Sequence, residues 1–356
     1  MRFLLAAAVV FQHSTTPGNL PLVDGHQAVR LFYIISGFYM ALILGKKYPL
    51  HRRGLWIFYT NRGARIFSIY WVVLLGAFAF YGLALIWTHR MPERLQWYSV
   101  LKGGGHGRFL AGLGLSQLVL FGLDGFSLFD FQGSTLGFGG TVPGGRTAGF
   151  LCLVPQAWTL AVELMFYLVA PWIIRIRSRW LATLCALGIV LRMMLAVWKP
   201  QESLALNYYW FPLQMPFFVM GILSYRWMKI STNFWNKSGT SKPARVLAYA
   251  LILGYGWFPA GLASILSCVG MMLFIPALFE IQEKTGKFLG ELSYPIYVVH
   301  ILAKWMILGV QGVEQGGQNQ VSGLLLLVVS LFAAIGIEAM IGNRVEAWRS
   351  KRAQIL

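Results

Sequence analysis

Charged side chains are scarce in this sequence, and acidic ones are the scarcest. Asp, Glu, Lys and Arg make up 12% of the 356 residues, and only 12 residues are Asp or Glu. A soluble domain carries about 25% charged residues, so a soluble globular protein is excluded. Instead, 57% of the residues are hydrophobic, and long apolar runs recur at Leu181–Trp198, Leu247–Phe258, Leu262–Phe279 and Leu324–Ile341. These runs lack the alternation of barrel strands, so the sequence predicts an all-α, polytopic transmembrane helical bundle.

Cysteine is also rare. The three cysteines, Cys152, Cys185 and Cys268, lie in or beside apolar segments and lack the spacing of a metal-ligand set. We therefore interpret them as small core residues and predict no metal site.

The positive charge of the chain has a membrane explanation. Thirty Lys and Arg residues give a formal net charge of +18, which in a soluble protein would indicate nucleic acid binding. Here the basic residues lie between the apolar runs, and no RNA-binding signature is present. They are expected to set orientation and to meet anionic lipid headgroups, so membrane lipid rather than nucleic acid is the expected partner.

The apolar runs and basic loops predict ten membrane spans with both termini in the cytoplasm. The spans are placed at 2–20, 27–45, 66–88, 151–174, 181–198, 208–227, 246–260, 262–280, 289–310 and 321–342. With this arrangement most Lys and Arg residues fall in cytoplasmic loops, as the positive-inside rule requires. An eleventh span at 109–131 would invert every later loop and break the rule repeatedly. Residues 89–150 are therefore predicted to form an extracytoplasmic insertion with a re-entrant or interfacial segment, inside a single membrane domain covering residues 1–356.

Four polar residues are predicted at similar depth within the membrane. His13 lies eleven residues after Arg2, about 16 Å along a helix and near the midplane of a ~30 Å hydrocarbon core. Glu163, His300 and Ser36 lie about as deep in three other spans. Tyr167 and Tyr297 share faces with Glu163 and His300, respectively.

Two kinds of protein explain polar residues at that depth. Ionisable groups inside a bilayer cost roughly 2.5–3.5 kcal/mol on insertion scales, so each is a functional candidate. A His beside a carboxylate suits general-base catalysis, whereas a proton-coupled transporter or flippase of glycans or small molecules uses the same residue types. Each residue alone also has a structural explanation, such as a hydrogen-bonded helix contact or, for Ser36-Gly37, a close helix crossing.

Five patterns, taken in order, resemble the acyltransferase-3 family of integral membrane O-acyltransferases. They are Arg2 with ten residues before His13, FYIISG at 32–37, RGAR at 62–65, WTLAVELMFYL at 158–168 and LGELSYPIYVVH at 289–300. One departure is Tyr33, which stands where the family usually has the second Phe of its Phe-Phe-x-x-Ser-Gly pattern.

The resemblance implies both a fold and an activity. Family members are bundles of about ten transmembrane helices that transfer an acyl group, commonly acetyl from acetyl-CoA, to hydroxyls of cell-surface polysaccharides, glycolipids or other glycosides. It implies that His13 is the catalytic histidine and that Arg2, the arginine of the same signature, belongs to the donor-binding residues. Arg62 and Arg65 match the family's Arg-x-x-Arg pair, which is associated with the acyl-CoA donor. A bacterial inner (plasma) membrane location follows from the same resemblance.

Simple physical chemistry assigns further roles. Arg62 and Arg65 share one helical face on the cytoplasmic side, where Arg can bind CoA phosphates bidentately. Lys46, Lys47, Arg52 and Arg53 offer further phosphate contacts, although ordinary positive-inside charge explains all of these residues equally.

At the catalytic centre, His13 is expected to take the acceptor hydroxyl proton, and Glu163 to orient or charge-balance His13. Ser36, Tyr167, Tyr297 or His300 would position substrate or stabilise the oxyanion. Direct transfer and a covalent acyl-enzyme route both remain open.

The acceptor side is less defined by the sequence. Trp158, with Trp210 and Trp257, could stack on sugar rings in an outer cavity, although interfacial Trp is the usual explanation. The acyl group, the acceptor sugar and the oligomeric state, a homodimer included, stay open at this point.

Overall fold

The computed structural model describes residues 1–15, 22–89, 91–237, 241–279, 284–314 and 321–354. The long helices of the bundle are α1 Arg2–Gln12, α2 Gly25–Lys46, α3 Arg52–Thr88, α7 Trp158–Ile173, α8 Ser178–Trp198, α10 Phe211–Lys237, α11 Ser241–Leu253, α12 Ala260–Phe279, α13 Lys284–Glu314 and α14 Gly323–Ile337. A π-helical turn, Glu338–Gly342, joins α14 to a last helix, α15 Asn343–Ala353. Between α3 and α7 lie α4 Glu93–Gly103, α5 Gly107–Val119, α6 Leu123–Phe126, three short strands and two 3-10 turns, and α9 Pro200–Tyr209 follows α8.

The predicted all-α polytopic fold is confirmed. Seven described helices are long and apolar enough to cross a membrane: Gly25–Lys46, Arg52–Thr88, Pro155–Ile173, Ser178–Trp198, Ala260–Phe279, Phe288–Gly309 and Gly323–Ala353. Two shorter apolar helices, Arg2–Gln12 and Pro243–Leu253, lie on two more of the predicted spans. The predicted span 208–227 falls on α10, and residues 16–20 of the first predicted span lie outside the described residues.

Helix α2 is the centre of the bundle, and its closest partner is α10. The two backbones meet at a pair of glycines, Gly37 and Gly221. A Cβ at Gly37 would lie 2.0 Å from the carbonyl oxygen of Phe218, and one at Gly221 would lie 2.0 Å from that of Ile34. Only a residue without a side chain fits such an approach, which is typical of small residues in membrane helix crossings. Helices α1, α7 and α12 also pack against α2.

Helix α1 lies between α2 and α13, and α13 also packs against α3 and α14. At one end of the bundle Arg2 begins α1, Lys47 caps α2 and α15 packs against α3. We call this the basic end, because the loops and the helix found there carry most of the Lys and Arg residues.

The insertion contains a small antiparallel sheet that the sequence did not predict. Strands β1 Phe129–Gln132, β2 Thr135–Phe138 and β3 Arg146–Thr147 are ordered β2-β1-β3. The buried Asp130 accepts hydrogen bonds from the backbone N–H groups of Gly140 (3.0 Å) and Val142 (2.6 Å), which fixes the glycine-rich loop. The apolar stretch 109–131 is divided among α5, α6 and β1, so it forms none of the seven long apolar helices.

A caged arginine joins the insertion to the bundle. Arg94 of α4 is 6% exposed, and its guanidinium lies over the rings of Tyr81 (5.7 Å), Phe150 (4.8 Å) and Trp305 (4.7 Å). It also donates to the carbonyl oxygen of Cys152, and burial lowers the pKa of Arg94. Arg94 lies in the predicted extracytoplasmic insertion, where the positive-inside rule does not favour a cation, and its cage shows that it acts as a structural contact.

Candidate functional site

A cavity of about 390 Å³ runs from the basic end into the bundle. Its lining on α2 extends from Lys47 to Val29, a helical distance of about 27 Å. Helices α1, α3, α7, α13 and α15 supply the other walls. Near the middle the lining is apolar, with Ile35, Met40 and Leu160 among its residues. The cavity is therefore long and narrow, charged at its mouth and apolar farther in.

Five cationic side chains line this cavity and face three carboxylates. The cations are Arg2, Lys47, Arg62, Arg65 and Arg349, and the carboxylates are Glu163, Glu291 and Glu346. The structure thus brings together the three arginines that the sequence assigned to the donor. The structure adds Arg349 to this set. Of the further phosphate contacts suggested by the sequence, Lys47 lies on the lining. Arg52 and Arg53 instead border a separate surface depression beside Trp56.

The arginines have unused hydrogen-bonding capacity. The buried Nε atoms of Arg2, Arg62 and Arg349 have no hydrogen-bond partner among the described residues. Burying such donors without partners is costly, and clustered guanidinium groups repel one another. A phosphate-bearing ligand would satisfy both deficits, because phosphate oxygens accept several hydrogen bonds and carry negative charge.

Ser36, Glu163 and Tyr167 form one hydrogen-bonded group on the cavity wall. Glu163 Oε1 accepts from Ser36 Oγ at 2.9 Å and from the Tyr167 hydroxyl at 2.5 Å. The geometry follows from the helices: Tyr167 is one turn after Glu163 on α7, and the α2 backbone is held close to α7 and α10 through Gly37. Arg2 is near enough to Glu163 for their charges to interact.

Tyr297 marks the deep end of the cavity. Its hydroxyl oxygen lies 2.9 Å from Thr159 Oγ1, which also lies 2.9 Å from the Gln156 carbonyl oxygen, so the single Thr159 proton is donated to one of the two at a time. Tyr297 and Thr159 both line the cavity and are both buried. Their hydroxyls are held in place where a group entering from the basic end would stop.

Two histidines lie beyond Tyr297. The fully buried His300 directs Nδ1 to the Tyr297 carbonyl oxygen at 2.7 Å. A carbonyl only accepts, so this nitrogen carries the proton and Nε2 is left as an acceptor, with no hydrogen-bond partner among the described residues. The ring of His13 lies 5.2 Å from the ring of His300.

His13 caps α1, and its side chain is exposed, unlike that of His300. It is not part of the lining of the arginine-rich cavity. The chain of contacts from cavity to surface is therefore Thr159, Tyr297, His300, His13.

The four residues predicted at equal depth meet as two pairs. His13 contacts His300, and Ser36 bonds to Glu163. The expected partnership of Glu163 with His13 is not seen in this structure: in the described part of the chain, the hydrogen bonds of Glu163 go to Ser36 and Tyr167. The physical reason is that Glu163 lines the cavity, whereas His13 lies beyond Tyr297 and His300 and is not on the lining.

Trp158 sits on the side of the bundle away from the basic end. It is buried, and its ring lies 4.6 Å from Tyr208 and 4.8 Å from Tyr209. Tyr208 in turn contacts the exposed His26 at 4.2 Å. Trp158 therefore belongs to an aromatic cluster near the start of α2 and α7 and does not line the cavity.

Thr159 and Arg349 are among the residues of the site that the sequence reasoning missed. Thr159 stands beside Trp158 in a run of apolar residues, and a Thr at that position has no distinctive pattern. Arg349 is one of several basic residues near the C-terminus, and nothing in the sequence separates it from Arg344, Lys351 and Arg352. Only its burial and its place on the cavity wall distinguish it.

Fold and cavity together define a class: a polytopic α-helical membrane protein with a cation-lined, phosphate-compatible cavity at one end. A family model described as an acyltransferase domain (Acyl_transf_3) matches residues 1–341. The chain therefore belongs to the acyltransferase-3 family, which confirms the resemblance found in the motifs, and it is a membrane acyltransferase. A search among curated proteins and a search among solved structures each found no match.

Proposed function

We propose that this protein transfers an acyl group, most simply acetyl, from cytoplasmic acyl-CoA to a hydroxyl of a cell-surface polysaccharide, glycolipid or glycoside. The observation that carries the proposal is the arginine-lined cavity, whose deep end is linked through Tyr297 and His300 to His13 on the far side. On this assignment the basic end faces the cytoplasm, as the positive-inside rule favours. Donor and acceptor then approach from opposite sides and meet near Tyr297.

Acyl-CoA would bind in the cavity with its phosphates at the basic end and its thioester at the deep end. Its phosphates would bind Arg2, Arg62 and Arg65, and its pantetheine arm would follow the apolar lining toward Thr159 and Tyr297. The thioester carbonyl then lies at the deep end. The group formed by Ser36, Glu163 and Tyr167 would position the arm.

The proposed acyl-transfer step depends on His13 and His300. A nitrogen of His13 takes the proton of the acceptor hydroxyl as its oxygen attacks the thioester carbonyl carbon. The carbon–sulfur bond then breaks, and the CoA thiolate leaves and is protonated. His300, with Nδ1 bonded to the backbone, would orient the His13 ring, and the Tyr297 hydroxyl would stabilise the oxyanion. Trp158 and its tyrosine neighbours would contribute to acceptor binding. This route needs no covalent enzyme intermediate.

The first prediction concerns His13. Replacing a general base typically costs about 10²–10⁴-fold in rate, so His13→Ala should lose acyl transfer by that factor while CoA binding, which depends on the arginine-lined cavity, is retained. The assay uses protein of known orientation in proteoliposomes, with acyl-CoA on one face, a glycoside panel on the other and CoA release as readout. His89→Asn serves as the control, because His89 is exposed at the end of α3 and Asn tolerates its left-handed backbone.

Two results would contradict the proposal. Wild-type turnover in His13→Ala would remove this residue from the mechanism. Movement of a glycan across the bilayer without consumption of acyl-CoA would instead favour a transporter.

A further inference from the structure

We propose that Arg349 binds the terminal phosphate monoester of the donor, and that Glu346 holds its guanidinium when the donor is absent. Arg349 belongs to α15, which lies beyond residues 1–341 matched by the family model. The inference rests on the proposed function, since it requires a phosphate-bearing donor that enters at the basic end. It adds a residue and a donor preference that the family match does not provide.

Arg349 is built into the cavity wall. It is 6% exposed although α15 is otherwise a polar helix, and it lines the cavity together with Arg62 and Arg65. The side-chain amide of Asn61 on α3 donates to the backbone carbonyl of Arg349 at 3.1 Å and to the Tyr48 hydroxyl at 3.1 Å. Because this anchor uses the backbone of Arg349, it can persist when the side chain is changed.

The resting environment of the guanidinium is only partly satisfied. The guanidinium of Arg349 is buried and shares the cavity wall with Arg62 and Arg65, whose like charges repel it. The ion-pair partner is Glu346, one turn earlier on the same helix, and the side chain of Glu346 is 52% exposed. Exposed carboxylates contribute little to such pairs, and Nε of Arg349 has no partner among the described residues. A phosphate can therefore displace Glu346 and gain hydrogen bonds that the carboxylate leaves unmade.

Position along the cavity identifies which phosphate reaches Arg349. Arg2 interacts electrostatically with Arg65, Tyr39, Glu163 and Tyr167, so it reaches the hydrogen-bonded group on the cavity wall. Arg349 is held through Asn61, whose amide also bonds to Tyr48 just past the end of α2 at the basic end. Arg349 thus lies nearer the mouth of the cavity than Arg2. In acyl-CoA the order from the thioester is pantetheine, pyrophosphate and then the 3′-phosphate on the ribose. A donor with its thioester at the deep end places the pyrophosphate near Arg2 and Arg65 and the 3′-phosphate at the mouth.

The test compares CoA with dephospho-CoA, which lacks only the 3′-phosphate. Binding to the purified full chain in nanodiscs of zwitterionic lipid is measured by calorimetry. A charge-assisted contact is worth about 10- to 100-fold in affinity, so the wild type should prefer CoA by that factor. Arg349→Ala should weaken CoA to the level of dephospho-CoA and leave dephospho-CoA unchanged. Arg344→Ala is the matched control, because Arg344 lies on the same helix but is exposed and outside the cavity.

A second variant keeps the test decisive if Arg349→Ala folds poorly. Glu346→Gln removes the competing carboxylate and should tighten CoA binding several-fold, with no comparable gain for dephospho-CoA. Equal weakening of both ligands in Arg349→Ala, an unchanged CoA preference, or no gain in Glu346→Gln would overturn the inference while leaving the proposed donor intact. A wild-type chain that binds neither CoA nor dephospho-CoA would overturn the proposed function itself, and this inference with it.

Discussion

At the scale of single residues, the cavity contains buried polar groups whose free-energy cost a purely structural helical bundle would avoid. Arg62 and Arg349 are buried with unsatisfied Nε atoms, and Glu163 collects two hydroxyl donors on a wall facing the cavity. Natural sequences break local rules mainly at functional sites. The unsatisfied donors are therefore most simply explained by a ligand that supplies the missing acceptors.

The Glu163 group leads to the second prediction. Ser36→Ala and Tyr167→Phe each remove one donor to the same carboxylate, so each should lower kcat/KM, and the losses should not add. The coupling energy of contacting residues is typically about 0.5–3 kcal/mol. Steady-state kinetics on both single variants and the double variant measures it, with Tyr59→Phe as the control, since Tyr59 bonds to the Leu168 carbonyl on the exposed side of α7. Strictly additive losses would mean that Ser36 and Tyr167 act independently of Glu163.

Counting residues along helices predicted that His13 and His300 lie at the same level of the bundle, but it did not predict which side chains meet. Eleven residues at about 1.5 Å each placed His13 level with His300, and their rings are in contact. Which side chains meet depends on the rotation of each helix about its axis, and an apolar sequence without a clear hydrophobic face does not encode that rotation. Glu163 was therefore matched with His13 when its partners are Ser36 and Tyr167.

At the scale of secondary-structure elements, α2 serves both packing and function. Gly37 lets α2 approach α10, and the adjacent Ser36 donates to Glu163, so the helix-crossing interpretation of Ser36-Gly37 is confirmed and the functional role of Ser36 stays a prediction. The elements that escaped prediction were short or charged. Strands β1 and β2 have four residues each, too few for a periodic pattern. Helix α3 begins at Arg52, well before the predicted span at 66–88, because Arg52, Arg53, Asn61, Arg62 and Arg65 interrupt the apolar residues of its first turns.

The third prediction concerns the α2–α10 crossing. Gly37→Ala would place a methyl group 2.0 Å from the Phe218 carbonyl oxygen, and backbone cannot move aside as a side chain does. Overpacking of this kind costs about 1–3 kcal/mol, so the apparent Tm in detergent should fall. Gly82→Ala on α3 is the control: nothing lies within 4 Å of a Cβ there, and Ala favours a helix over Gly. A Gly37→Ala protein as stable as Gly82→Ala would show that the two backbones do not meet as described.

At the scale of the whole molecule, the two ends of the bundle are built differently. The basic end holds the cavity and α15, whereas the insertion folds over α3 and α13 through the Arg94 cage. Helix α13 passes through both regions: it carries Tyr297 and His300 at the deep end of the cavity, and Trp305 in the cage. The insertion is thereby fixed to the helix that links the cavity to His13.

The last prediction tests whether the insertion can be perturbed without changing donor binding at the basic end. Arg94→Ala empties the cage and leaves the Cys152 carbonyl without its guanidinium donor, a change that should loosen residues 93–150 and lower acceptor-dependent turnover. CoA affinity should stay the same, because none of the described residues of the insertion lines the cavity. Hydrogen exchange across 93–150 and CoA titration measure the two effects, and Arg108→Ala, an exposed residue of the same insertion, is the control. Faster exchange together with a loss of CoA affinity would instead show that the insertion shapes the donor cavity, because the cage residues Tyr81 and Trp305 belong to α3 and α13, which both line it.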